Sequence, residues 1–230
     1  MFVVVCSSRD RSARDLCRRW RAHDARLLTA RDLSLPGWRH RLDDSAASCA
    51  VISGRSVPAR SITGVLNRLP SVDEPELPHI VSHDRAYVAA EMNAFLLAWM
   101  SSLSCPIVNR PTPNCLVGPN WRIEQWTAAA ASLRIPVHPW HHSSARNAVP
   151  VSHPAVGAEV IVAGSRAFGP PELARAATDL ARLAGVALVA VQFSRATSDA
   201  AFVGVNLLPS LSSPLVAKAA FDCLSGDRPC

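Results

Sequence analysis

The chain has 230 residues, 49% of them hydrophobic and 18% charged, with a formal net charge of +6. That composition supports an apolar core, in one large domain or two small ones, and excludes wholesale disorder. The positive charge is almost entirely arginine, since Lys218 is the only lysine, and acids are interspersed where arginine is densest, from Arg9 to Arg41. With no zinc-finger, RNA-recognition or helix-turn-helix signature beside it, this charge does not define a nucleic-acid-binding protein.

The run Phe2 to Cys6 is short and apolar and ends at Ser7-Ser8, which predicts a buried parallel strand and a turn. No basic residues precede it, and it is shorter than a signal-peptide core. No stretch of about 18 apolar residues occurs anywhere, so no membrane span is expected. The seven cysteines are odd in number and form no CxxC pair, as expected of a reduced, cytoplasmic protein. Arg11 to Ala22 reads as a helix with Ala13, Leu16, Cys17 and Trp20 on one face. Ala25–Leu28, Ser48–Ser53 and Gly64–Asn67 follow as candidate strands, giving an α/β layer.

Pro70 to Pro78 holds three prolines and three acids and reads as a loop. His83 to Leu103 is the clearest helix, with Tyr87, Ala90, Ala94, Leu97 and Met100 at helical spacing and Ser82 at its start. A short strand is expected at Pro106–Asn109, then an extended linker set by Pro111, Pro113 and Pro119. Asn120 to Leu133 reads as a helix capped by Asn120, Arg134–Val137 as a short strand, and 138–154 as a loop. Beyond it come a strand at Val156–Val162, a helix at Pro170–Ala184, paired strands at Gly185–Phe193 and Ala201–Val205, and a closing helix at Pro214–Leu224.

Several of these segments occur in a telling order. GVLNRLP (Gly64–Pro70) is followed by a helix with Glu91, then CPIVNRPTPN, then WRIEQWTAAAASLRIPVHP ending at Pro139. This resembles the junction between the N-terminal domain and the ligase core of the ATP-grasp peptide ligases, the peptide maturases and ribosomal-protein-glutamate-ligase-like proteins above all. Arg68 and Pro70 match the family's strand-turn, whereas Leu66 and Asn67 depart from it. Glu91 matches a recurring glutamate, and Val108 to Pro111, with Asn109 and Arg110, matches the exit from the first domain. Gln125, Ala128 and Ile135-Pro136 match the next helix and strand, with the family lysine falling on Arg122. Further on, AEVIVAGSRAF is similar to the strand pair carrying a substrate-facing arginine, here Arg166. The resemblance implies a pre-ATP-grasp doubly wound α/β domain over residues 1–110, then a reduced ATP-grasp-like α+β domain over 111–230.

The chemistry expected with that resemblance is thin. A lid subdomain bearing lysines and a glycine-rich loop should follow Pro139, where only 138–154 stand, and no lysine precedes Lys218. The metal-strand aspartate falls on Gln192 and the bridging glutamate on Gly204, so Asn206 alone matches. Mg²⁺ normally takes one or two carboxylates together with substrate phosphates. Two neutral amides do not replace them, although Glu159 or Asp199 stand as possible substitutes. His138, His141, His142 and His153 read as a polar loop rather than a zinc site, since no Cys or carboxylate partner has the spacing. Cys230 has no activating neighbour in the sequence, and the other cysteines read as small core residues.

Arg68, Asn109 and Arg110 lie at strand ends near the cleft in which doubly wound folds bind ligands. Arg68 there either pairs with a peptide carboxylate, or fixes the domain by capping a helix or pairing with Glu91. The favoured expectation is a degenerate ATP-grasp-like protein, a non-catalytic subunit binding a peptide or a catalytic partner protein in natural-product biosynthesis. No cofactor of its own is expected, and a homodimer is possible. The alternative is a minimal ATP- and Mg-dependent carboxylate–amine ligase. A third reading is an unrelated α/β domain.

Overall fold

A computed structural model describes residues 1–41, 44, 47–138 and 155–226. By packing, the chain divides into two compact units, Met1–Asn120 together with the segment from Ser210 onward, and Trp121–Pro209. The last helix falls in the first of these units. No helix among the described residues is long and apolar enough to cross a membrane.

The first unit is built on an all-parallel sheet, β2-β1-β5-β6. It contains β1 (Phe2–Val5), β2 (Ala25–Leu28), β5 (Gly64–Asn67) and β6 (Ile107–Val108). Val3, Val4 and Val5 of the inner strand β1 are all fully buried, which is why FVVV shows no alternation. Helix α1 (Arg11–Arg19) begins where the Ala13 N–H donates to Asp10 Oδ1 (2.9 Å), and it buries Ala13 and Leu16. Helix α2 (Ala30–Leu33) is a single turn whose start is fixed by Asp32, which accepts from the Thr29 N–H and the Gly54 N–H. The closing helix α6 (Pro214–Ser225) packs on this unit, with Phe221 against Phe2 and Trp20.

Two expectations for this unit are corrected. Strand β3 (Cys49–Ile52) does not extend the parallel layer; it forms a separate two-stranded sheet with β4 (Arg55–Pro58). Ser53 and Gly54 both adopt positive φ and reverse the chain at once, as a tight hairpin requires. The long helix α3 (Arg85–Ser102) exists, but its buried face is Ala89, Met92, Leu96, Trp99 and Met100. Of the residues read at helical spacing, Met100 is on that face, whereas Tyr87, Ala90 and Ala94 are exposed. The helix is apolar on most sides, so the 3.6-residue period alone fits two phases. Trp38 decides between them by setting its edge against Phe95 and Trp99, with ring centroids 5.1 and 5.5 Å apart.

The second unit is an antiparallel sheet, β10-β9-β7-β8. Its strands are β7 (Ala158–Ala163), β8 (Arg166–Phe168), β9 (Leu188–Phe193) and β10 (Phe202–Asn206). Helices α4 (Ile123–Ser132) and α5 (Pro171–Leu183) belong to it, and Trp126, Leu173, Leu180, Val191 and Phe193 fill its core. The cap of α4 is Arg122, not Asn120, and the Arg122 N–H donates to Gln125 Oε1 (2.9 Å). Arg134–Val137 makes a single bridge, Val137 to Phe202, and no strand.

Candidate functional site

In the first unit the chain leaves β1 toward β2 on one side and later returns to β5 on the other. The carboxyl ends of β1 and β5 therefore flank the switch point at which doubly wound sheets open a ligand crevice. Arg68 stands there, only 6% exposed, with Nε donating to Asp10 Oδ2 at 2.9 Å. The other oxygen of Asp10 caps α1. This guanidinium ties the end of β5 to the start of α1, and its carboxylate partner is Asp10 rather than the exposed Glu91.

The same strand ends hold a carboxylate from the chain itself. Glu76 accepts from the Ser7 hydroxyl (2.5 Å), the Ser8 N–H (3.0 Å) and the Ser8 hydroxyl (3.0 Å). Arg9 Nη2 donates to the Pro75 carbonyl beside it. Ser7-Ser8-Arg9, the turn after β1, is thus engaged by the acidic loop. Burial on its own pushes Glu76 up, but the Ser7 and Ser8 donors and the Arg9 charge outweigh it and hold the carboxyl below its usual value. A lowered folded pKa stabilises the fold above the unfolded value, about 4.3, and that stabilisation is lost as pH falls through the folded pKa. Glu76→Gln is therefore expected to lower the unfolding midpoint at pH 7. The difference from the parent should shrink as pH falls below the unfolded value and vanish only once pH is below the folded pKa, measured by denaturant melts across pH.

Asn109 and Arg110 follow β6. Asn109 is buried with φ +56, a left-handed position that asparagine tolerates, and it turns the chain after a two-residue strand. Arg110 is exposed, and its Nη2 reaches the Cys105 carbonyl at 3.4 Å. Two asparagines not singled out in the sequence organise this end. Asn67, fully buried, donates to the Leu116 carbonyl, and Asn93 pairs both ways with the Val72 backbone at 2.8 and 2.9 Å. Asn93 and Leu116 line an open cavity of about 430 Å³, with Ser71, Leu97, Thr112 and Cys115. A polar residue in a buried strand, and another within an apolar helix, were the available signals.

In the second unit Glu159, Gln192 and Gly204 fall in one row across β7, β9 and β10. A Cβ at position 204 would stand 3.3 Å from Gln192 Oε1, so these positions share a face. Asn206 ends β10, exposed, and its Oδ1 accepts from the Leu208 N–H at 2.9 Å. One lone pair of the oxygen that would serve a metal is taken up by its own turn. Asp199 does not join this row: it closes a turn with Thr197 Oγ1 (2.6 Å) and Arg195 (2.5 Å), and the Thr197 hydroxyl foremost holds its carboxyl below the ordinary range. Arg122 is exposed at the start of α4, and Arg166 is half-buried at the start of β8.

Lys218 pairs with Asp222 one turn along α6, in the first unit. Among the described residues no three His, Cys, Asp or Glu side chains are placed to hold a metal. His138 is exposed, and His141, His142, His153 and Cys230 lie outside the described residues. Burial foremost pushes the Cys6 and Cys17 thiols up to about 12; Cys6 and Cys223 are buried, whereas Cys17, Cys49, Cys105 and Cys115 are only partly buried rather than the core residues expected. One carboxylate, one amide and a glycine do not match the carboxylate set that Mg²⁺ with nucleotide needs, so no catalytic step is derived through that pair.

A parallel-sheet unit followed by an antiparallel unit of this form is an ATP-grasp-like fold. The macrocyclase MdnC from Microcystis aeruginosa MRC, bound with precursor peptide MdnA, superposes with a TM-score of 0.66 at 11% identity, over 99% of this chain and 100% of that one. The macrocyclase MdnB of the same organism gives 0.62 at 14%, over 98% and 100%. A RiPP-associated ATP-grasp ligase from Chryseobacterium gregarium, in complex with ADP and a leader and core peptide, gives 0.68 at 8%, over 99% and 97%. These likenesses show an ATP-grasp-like fold. No protein-family profile and no curated protein matches the sequence.

Proposed function

We propose that the chain is an ATP-grasp-like protein without ligase activity of its own, which binds a peptide or a catalytic partner protein in the maturation of ribosomally made peptides. The observation that carries this reading is the row Glu159–Gln192–Gly204, with Asn206 turned onto its own backbone. Transferring a phosphoryl group needs fixed positive charge on its oxygens, supplied by metals and cationic side chains. The one lysine is held by Asp222, and only residues 138–157 separate the bridge at Val137 from β7, where a lid would have to fit. The peptide side is supported by fold neighbours crystallised with precursor or leader peptides.

The alternative, a minimal carboxylate–amine ligase, has one specific observation in its favour: Glu159 lies directly beside Gln192 and offers one carboxylate to the row. Calorimetric titration separates the two readings. Mg-ATP should give no heat, and the precursor peptide encoded nearby, or a co-encoded ligase, should give a binding isotherm. Micromolar Mg-ATP binding that is lost in Glu159→Gln or Asn206→Ala would overturn the first reading and establish the second.

A further inference from the structure

Helix α1 takes its N-terminal carboxylate from the cap, Asp10, alone. Its first turn holds no acidic residue, although the N-terminal dipole end favours one, and Arg11 and Arg14 stand there instead. Arg11, Arg14 and Arg18 lie three and four residues apart, all exposed, on the side opposite the buried Ala13 and Leu16. Like charges at this spacing repel. Among the described residues the only ion pair these three arginines make is Arg18 with Asp15, and the Asp10 carboxylate is engaged by Arg68 and the Ala13 N–H. A conflict between local stability and sequence marks the kind of position that function retains.

We infer that the exposed face of α1 is a docking surface for an acidic polypeptide segment whose carboxylates recur every three to four residues along a helix. The three guanidinium groups span about 10 Å along the axis, and a partner helix has the same rise per residue, so their spacings coincide. Arginine presents a planar fork suited to carboxylates. The Trp20 ring nearby is buried, and no exposed aromatic belongs to α1, so the stacking platform that single-stranded nucleic acid uses is missing from this face. The inference holds whether or not the chain turns over ATP.

Anisotropy of a fluorescein-labelled peptide of Glu-Ala-Ala-Ala repeats, titrated with the full chain at low salt, tests it. The wild type should bind, with affinity falling as salt rises. Arg11→Glu/Arg14→Glu should weaken binding by roughly tenfold or more. The same double variant should melt at the same or a higher temperature, because it supplies the first-turn acids and a Glu-to-Arg18 pair. A purely structural stripe would not give that opposition of binding and stability. Arg175→Glu/Arg182→Glu on α5, whose arginines already pair with Asp179, should bind like the wild type. No binding by the wild type, binding unchanged in the α1 variant, or tighter binding of an oligothymidine than of the peptide would each overturn the inference.

Discussion

Arg68→Met is expected to destabilise the protein by about 3 kcal/mol, the usual loss when one partner of a buried pair is removed and the other is stranded. Arg68 and Asp10 are 6% and 16% exposed, so little water is available to re-solvate the remaining carboxylate. In a chain of this size that corresponds to a fall of roughly 6–12 °C in Tm. Glu91→Gln, on an exposed helix position, should stay within about 0.5 kcal/mol. Asp10→Asn keeps an oxygen for the α1 cap and removes only the charge. Combined with Arg68→Met it should therefore be less destabilised than the sum of the two single variants. If Arg68 instead served a ligand, Arg68→Met would melt like the parent while peptide binding fell. Chemical denaturation of the four proteins, with peptide titration alongside, decides between these roles.

The Arg68–Asp10 pair lies beyond what the sequence makes legible, while much of the scaffold around it does not. Strands such as FVVV and GVLN were legible because a strand buried on both faces must be continuously apolar. The pairing of β9 with β10 was legible from two apolar runs around a polar turn. Which face of α3 turns inward was not, since that depends on Trp38, more than fifty positions away in sequence. The partner of Arg68, left open in the sequence between a peptide carboxylate, a helix cap and Glu91, was not legible for the same reason. Glu91 is close in the motif order, but the carboxylate that meets Arg68 comes from the loop after β1, brought alongside by parallel pairing of β1 with β5. Glu76 gave no sequence signal beyond an acidic, proline-rich loop, yet it engages the Ser7-Ser8 turn that a cleft reading assigns to a ligand. Motifs report the scaffold, because each strand needs its own residues; the occupants of a crevice come from distant segments.

The row across β7, β9 and β10 yields the second large expected effect, a gain of divalent-cation binding in Gln192→Asp/Gly204→Glu. Adjacent strands stand about 4.8 Å apart, so two new carboxylates beside Glu159 would sit within the reach of one hard cation. A Cβ at 204 fits once the end of the Gln192 side chain gives way. The nearest atom to a Cβ at 204 is the flexible end of Gln192, which the shorter aspartate withdraws, and Ile123 Cδ1 lies at an ordinary 4.0 Å. Without metal, three neighbouring carboxylates repel one another and the variant should be less stable than its parent at pH 7. With Mg²⁺ or Mn²⁺ at ten times its Kd, binding to the folded state alone should restore about 1.4 kcal/mol. Thermal melts with and without metal read this directly, and the parent should show no such shift. A metal-dependent rise in the parent's Tm that Glu159→Gln abolishes would mean that Glu159 already recruits enough oxygen ligands, and the minimal-ligase reading would then lead. The gain alone should not confer ATP turnover, because Lys218, the only lysine, is committed to Asp222.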